Sequence, residues 1–142
     1  MNDPYNLRRF VDAQEGIHEI ALAELYGGQK QSHWMWFIFP QLSGLGRSST
    51  AQYYGLSTAD EARAYLRHSV LGPRLYEAVG AILQWAGKRA PEQILGGIDA
   101  IKLRSCLTLF DAVEPNRIFG RALSAFFDVP DERTLALIAQ AG

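Results

Sequence analysis

An all-α, single-domain orthogonal bundle of about seven to eight short helices is the architecture this chain predicts, on three observations. Apolar residues recur at helical spacing along most of its length. Strict apolar–polar alternation, an Asn-Gly hairpin signal and any repeat of fixed period are all absent. Pro and Gly cut the chain into short pieces that suit helices packed at an angle. With 142 residues and 48% hydrophobic content, one domain spanning residues 1–142 can bury about 68–70% of its unfolded surface.

Each piece carries its own start and stop. Asp3 is placed to cap a first helix with Pro4 at its first position, and Leu7, Phe10 and Val11 then share a face until Gln14-Glu15-Gly16. Ile17, Ile20, Ala21, Glu24 and Leu25 keep helical spacing up to Gly27-Gly28, where a left-handed termination is expected. Residues 34–39 form an apolar run too short for periodicity to assign to helix or strand. Ser48 or Ser49 can cap a short helix beyond it. Ser57 with Asp60, or Thr58 with Glu61, opens a helix through Arg67. Pro73 restarts the chain into a stripe of Leu75, Ala78, Val79, Ile82, Leu83 and Ala86 that Gly87 ends. After a turn over residues 91–96, Asp99 is placed to cap a central helix whose Leu103, Cys106, Leu107, Phe110 and Val113 face inward, with Pro115 as its stop. Asn116 and Asp131 then read as caps for two closing helices. The first carries Ile118, Phe119, Ala122, Leu123, Phe126 and Phe127, the second Leu135 and Ile138.

Composition excludes several classes of function. Fourteen Lys and Arg against fifteen Asp and Glu leave a formal charge of −1, where grip on a duplex by phosphate neutralisation calls for a basic excess, so nucleic acid is disfavoured as a partner. The longest apolar run has six residues against the roughly 20 needed to span a bilayer, and no membrane partner is expected. One cysteine, Cys106, rules out an internal disulfide framework, and the first residues lack the charged flank and apolar core of an export signal; a cytoplasmic protein is expected. His18, His33 and His68 are scattered without metal-ligand spacing, so neither metal nor cofactor is expected. Cys106 lies on the inward stripe of the central helix and reads as an inert core thiol.

The most distinctive stretch runs from Ser32 to Ser49, where an aromatic block ending in Pro40-Gln41 joins the Gly-rich, cation-bearing Leu42-Ser43-Gly44-Leu45-Gly46-Arg47-Ser48. From Leu25 to Ala59 there is no Asp or Glu, so this window cannot supply a carboxylate pair for acid–base work and is suited instead to an anion. Gly44 and Gly46 let the backbone approach a ligand, Ser48 can cap a short helix whose free N–H groups attract an anion, and Arg47 adds a planar fork of donors. The bland alternative is a capped turn with a solvated arginine, since the pattern lacks the Gly-Lys-Ser/Thr ending of a phosphate loop. His33 can serve as donor or base, or simply bond a carbonyl at a helix start. Trp34 and Trp36 can stack on a ring or fill the core. Gln41, Tyr53 and Tyr54 can orient polar ligand atoms or bond the main chain. On the central helix, one flank carries Asp99, Lys102 and Ser105 and another Arg104, Thr108 and Asp111, and either can face a cleft or be a solvated face.

The blocks from His33 to Gln41, then Gly44-Leu45-Gly46-Arg47-Ser48, Tyr53-Tyr54-Gly55, Ala62-Arg63-Ala64-Tyr65-Leu66, Leu71-Gly72-Pro73-Arg74-Leu75 and the stretch from Asp99 to Ser105 occur in an order that resembles the bacterial domain-of-unknown-function family numbered 1810. The resemblance covers nearly the whole chain and implies a mainly α-helical single domain. It implies no activity and assigns no active residues. The calpastatin-like label that some members have carried finds no support in these residues. Taken together, the residues favour a pocket for a small anionic metabolite, a nucleotide or an ADP-ribose-like compound. His33, Trp34, Trp36, Gln41, Arg47, Ser48, Tyr53, Lys102 and Arg104 are its candidate ligand-binding residues, with no catalytic residue assigned. The alternative is a protein-interaction module in which the aromatic surface near Trp36 receives a helix or a second copy. RNA binding through aromatics and arginines is the weakest reading on charge.

Overall fold

The computed structural model describes residues 2–141 and contains no strand among them; ten α-helices and one 3-10 turn make up its elements. In order these are α1 (Arg8–Gln14), α2 (His18–Tyr26), α3 (Met35–Ile38), the 3-10 turn Ser43–Leu45, α4 (Ser49–Tyr54), α5 (Ala59–Arg67), α6 (Leu71–Leu83), α7 (Pro91–Leu95), α8 (Gly97–Val113), α9 (Ile118–Phe126) and α10 (Glu132–Ala141). Ten helices rather than seven to eight follow from two pieces too short to show a period. The run at 34–39 winds into the single turn of α3, and the segment read as a turn at 91–96 is α7, started by Pro91 and held by the Ala90 N–H donating to Gln93 Oε1 at 2.8 Å.

Three start signals act differently from their expected roles. Asp3 does accept backbone N–H groups, from Leu7 and Arg8, but the helix it caps begins at Arg8 because Asn6 takes a left-handed φ of 52° between them. Asp99 is no cap: α8 already starts at Gly97, and the carboxylate is drawn into ion pairs instead. Asn116, at φ 66°, makes the turn before α9 while Arg117 occupies its N-cap position. Thr58 and Ser48 cap as expected, accepting the N–H groups of Glu61 and Ala51, and Asp131 caps α10 by accepting from the Thr134 N–H.

The core is organised on α8, which packs against α5, α7, α9 and α10, while α6 packs against α2, α5 and α9. With neighbours on several sides, the middle of α8 is buried all round: Leu103, Ser105, Cys106, Leu107, Thr108, Leu109 and Phe110 are all inside. Burial pushes the Cys106 thiol well up from its ordinary value, which keeps it protonated and unreactive. An aromatic column of Phe10, Tyr65, Phe110 and Phe119 runs through this core with ring centroids 5.1–5.7 Å apart.

The 41–56 segment is closed on itself. Leu56 N–H donates to Gln41 O and Ser43 N–H to Leu56 O, both at 2.9 Å, forming an isolated parallel bridge. Only glycine fits at position 55, since a Cβ there would overlap Ser43. Arg9 reaches in from α1 to hold the same closure, donating to Tyr53 O and Gly55 O.

Candidate functional site

A hollow of about 320 Å³ lies where this closed segment meets α3, the N-terminal half of α8 and the start of α10. Trp36 comes from α3; Gln41, Leu45, Gly46, Arg47 and Ser48 from the connector; and Ala51 from α4. The opposite wall is Ile98, Ile101, Lys102 and Ser105 of α8, with Asp131 and Arg133 completing the rim.

Five of the nine candidate residues therefore meet: Trp36, Gln41, Arg47, Ser48 and Lys102. The other four lie elsewhere. His33 is exposed on the approach to α3 and does not line the hollow. Tyr53 is 56% exposed on α4, packed edge-on against Tyr54 at 4.8 Å. Arg104 uses its guanidinium on the chain itself, donating from Nε to Val129 O and from Nη2 to Pro130 O, both at 2.9 Å.

Trp34 is wholly buried, and its indole Nε1–H donates to Glu24 Oε1 at 2.9 Å. That carboxylate organises the loop before α3, accepting also from Gln31 N–H, Ser32 N–H and Ser32 Oγ–H. Partial burial opposes its ionisation, but these four hydrogen bonds outweigh burial and pull the group from its ordinary value near 4.5 down to about 2. A depressed folded value means that the stabilisation is complete above about pH 4.5 and is lost as pH falls through about 2. Glu24→Gln is accordingly expected to cost roughly 1.5–3 kcal/mol at neutral pH. Urea denaturation should show the gap to wild type closing between about pH 4.5 and pH 2; a gap constant over that range would mean that the charge is not what stabilises the loop.

Within the hollow the charges are unevenly matched. Arg47 and Arg133 are exposed and form no ion pair among the described residues. Lys102 stands with its ammonium 4.9 Å from the Trp36 ring centroid and 3.4 Å from Asp99 Oδ1. Asp131, the one carboxylate on the rim among the described residues, is engaged by the N–H and hydroxyl of Thr134. Ser48 Oγ is occupied as the cap of α4, and that helix is only six residues long, so the attraction for an anion lies with the side-chain cations rather than with a helix end. The glycines also act through packing: Gly44 lies against Leu137, and a Cβ on Gly46 would overlap the Ala51 Cβ.

Ile98 and Ile101, 76% and 64% exposed, give the hollow an apolar lip that the sequence reading missed. Their signal was present, since both fall off the inward stripe of α8. Arg133 was missed as well, and nothing local to its sequence marks it. Of the two α8 flanks, the one carrying Lys102 and Ser105 faces the hollow. On the other, Thr108 Oγ1 accepts the Asp131 N–H at 2.9 Å, so Arg104 and Thr108 together dock the segment leading into α10.

Over residues 4–138 the chain matches the family model described as a protein of unknown function (DUF1810). The crystal structure of the conserved hypothetical protein Rv1873 from Mycobacterium tuberculosis is similar to it at 45% identity and a TM-score of 0.93, over 96% of this chain and 99% of that one. No curated protein matches. No helix among the described residues is long and apolar enough to cross a membrane. With nearly its whole length matched and its helical order shared with that neighbour, the chain belongs to the DUF1810 family.

Proposed function

We propose that the hollow beside Trp36 binds a small anionic metabolite that carries a planar or apolar group, such as a nucleotide. The observation that carries this reading is the meeting of Arg47, Lys102 and Arg133, from three separate parts of the chain, around a space bordered by an indole and two exposed isoleucines. The guanidinium groups of Arg47 and Arg133, which form no ion pair among the described residues, present donors to an incoming carboxylate or phosphate. The Trp36 face and the Ile98–Ile101 lip suit a flat or apolar remainder. At about 320 Å³ the space lies near the lower end of small-molecule sites, which favours a mononucleotide-sized ligand over one as long as ADP-ribose. Gln41 is the side-chain amide available to orient it. A cytoplasmic setting belongs to the same proposal, supported by the lone, buried Cys106.

A thermal-shift panel of nucleotides, sugar phosphates and carboxylates tests the reading. A true ligand at 100 times its Kd is expected to stabilise the fold by about 2.7 kcal/mol, and Arg47→Ala should abolish the shift. A uniformly flat panel would reject it.

One observation favours a second reading, a protein-interaction surface: the exposure of Ile98 and Ile101 one helical turn apart. On that reading, size-exclusion chromatography of the wild type should show self-association that Ile101→Ser removes, while the metabolite panel stays flat.

A further inference from the structure

Lys30 lies outside the hollow, yet it is the enclosed end of a chain of three charges that finishes inside it. Its ammonium stands 3.0 Å from Asp99 Oδ2 with 11% of the side chain exposed, and the Lys102 ammonium stands 3.4 Å from Asp99 Oδ1. Each carboxylate oxygen thus has its own cation, and each cation lies over a different indole, Lys30 at 5.2 Å from the Trp34 centroid and Lys102 at 4.9 Å from that of Trp36. Lys30 is fixed from behind as well, through its backbone N–H donating to Ile94 O at 2.7 Å.

One carboxylate cannot neutralise two ammonium groups. Lys30 is the nearer and more enclosed partner, so the Asp99 charge is balanced from the core side and the Lys102 charge remains available to the hollow. Among the described residues, Arg47, Lys102 and Arg133 then line the space against the single carboxylate of Asp131, a net excess of two positive charges. A phosphate monoester carries about −1.5 to −2 charges at neutral pH and three strong acceptor oxygens, which matches that excess; a carboxylate would leave part of it unbalanced.

Resting on the reading of the hollow as an anion site, we propose that it selects the dianionic head of a small phosphate monoester over a monoanion, and that Lys30 is the positioning residue that sets this preference from behind the wall. Lys30 touches no ligand and acts through Asp99 on Lys102. If Lys30 is removed, Asp99 turns its whole charge on Lys102 and the excess in the hollow falls from two to one.

Isothermal titration calorimetry on the full chain with phenyl phosphate and with benzoate, which share a ring and differ in charge, decides the matter. Wild type is expected to bind phenyl phosphate at least about tenfold more tightly than benzoate, and Lys30→Gln to lose about tenfold on phenyl phosphate with a smaller loss on benzoate. Lys30→Arg should retain the preference. The double variant Lys30→Gln/Asp99→Asn should regain phenyl phosphate binding, because no carboxylate is left to neutralise Lys102; a residue needed only for folding would not be rescued by removing its partner. If circular dichroism shows Lys30→Gln unfolded, the double variant, which has no orphaned carboxylate, carries the test alone and must bind as wild type does. Unchanged binding in Lys30→Gln, or no recovery in the double variant, overturns the role of Lys30 while leaving the anion site standing on the wild-type affinity. Failure of wild type to bind either probe overturns both.

Discussion

Replacing Arg9 by alanine is expected to lower the stability of the fold by about 3–5 kcal/mol, seen in urea or thermal denaturation as a melting point lowered by about 10 °C or more. The reason is the saturation of one buried guanidinium. Arg9 Nε donates to Tyr53 O at 2.7 Å, Nη1 to Tyr5 O and Asn6 O at 2.7 and 2.8 Å, and Nη2 to Gly55 O at 3.0 Å and to Glu61 Oε2 at 2.9 Å. The two charged side chains are 8% and 4% exposed, and the guanidinium carbon lies 4.4 Å from the centroid of the Phe10 ring. Deleting it strands the Glu61 carboxylate, whose remaining partners are the Ser57 N–H and hydroxyl, and leaves several carbonyls without a donor. Arg9→Ala/Glu61→Gln should recover part of the loss, because the unpaired charge is then gone. Arg9→Lys should recover little, since a point charge cannot serve five acceptors spread over three segments. A loss under about 1 kcal/mol for Arg9→Ala would mean that this pair behaves as an exposed one.

The second large effect separates two tryptophans that stand two residues apart. Trp34→Ala is expected to cost about 3–5 kcal/mol, because the indole is fully enclosed, packs 6.2 Å from Phe39 between centroids, and supplies one of the four hydrogen bonds that hold Glu24. Trp36→Ala should cost far less, because that ring is only partly buried; its effect should fall on ligand affinity. Denaturation of both variants, set beside the thermal-shift panel, checks the division. Equal losses of stability would show that Trp36 is a core residue and not a wall of the site.

Helical periodicity makes the long elements readable in the sequence. Leu75, Ala78, Val79 and Ile82 of α6 and Leu103, Cys106, Leu107 and Phe110 of α8 are buried as the spacing requires, whereas Leu83, Val113 and, beyond the end of α6, Ala86 are only partly buried. Where an element is a single turn, periodicity has nothing to repeat, which is why α3 and α7 were not separable from loop. The candidate site was legible to the level of a segment and not of a side chain. Residues two apart on a helix point to opposite sides, so the same block that flagged Trp34 and Trp36 could not say which faces the core, and Lys102 with Arg104 repeats the problem on α8. The chemistry of His33 marks it as a candidate, while its place in space depends on a loop shaped by Glu24, which no local pattern announces. Arg133 joins the hollow from α10, far along the chain from Trp36 and Arg47, and such a meeting is a property of the tertiary fold alone.

The fork that Arg104 places on the carbonyls of Val129 and Pro130, with the single bond from Asp131 to Thr108, is the polar fastening of the last helix, in which Thr134 is the one wholly buried residue among those described. Apolar packing completes the attachment, because Leu137 and Ile138 pack against the core and Leu137 lies beside Gly44 of the 3-10 turn. Lys102 on one bank and Arg133 on the other therefore share a single footing, the helix α8.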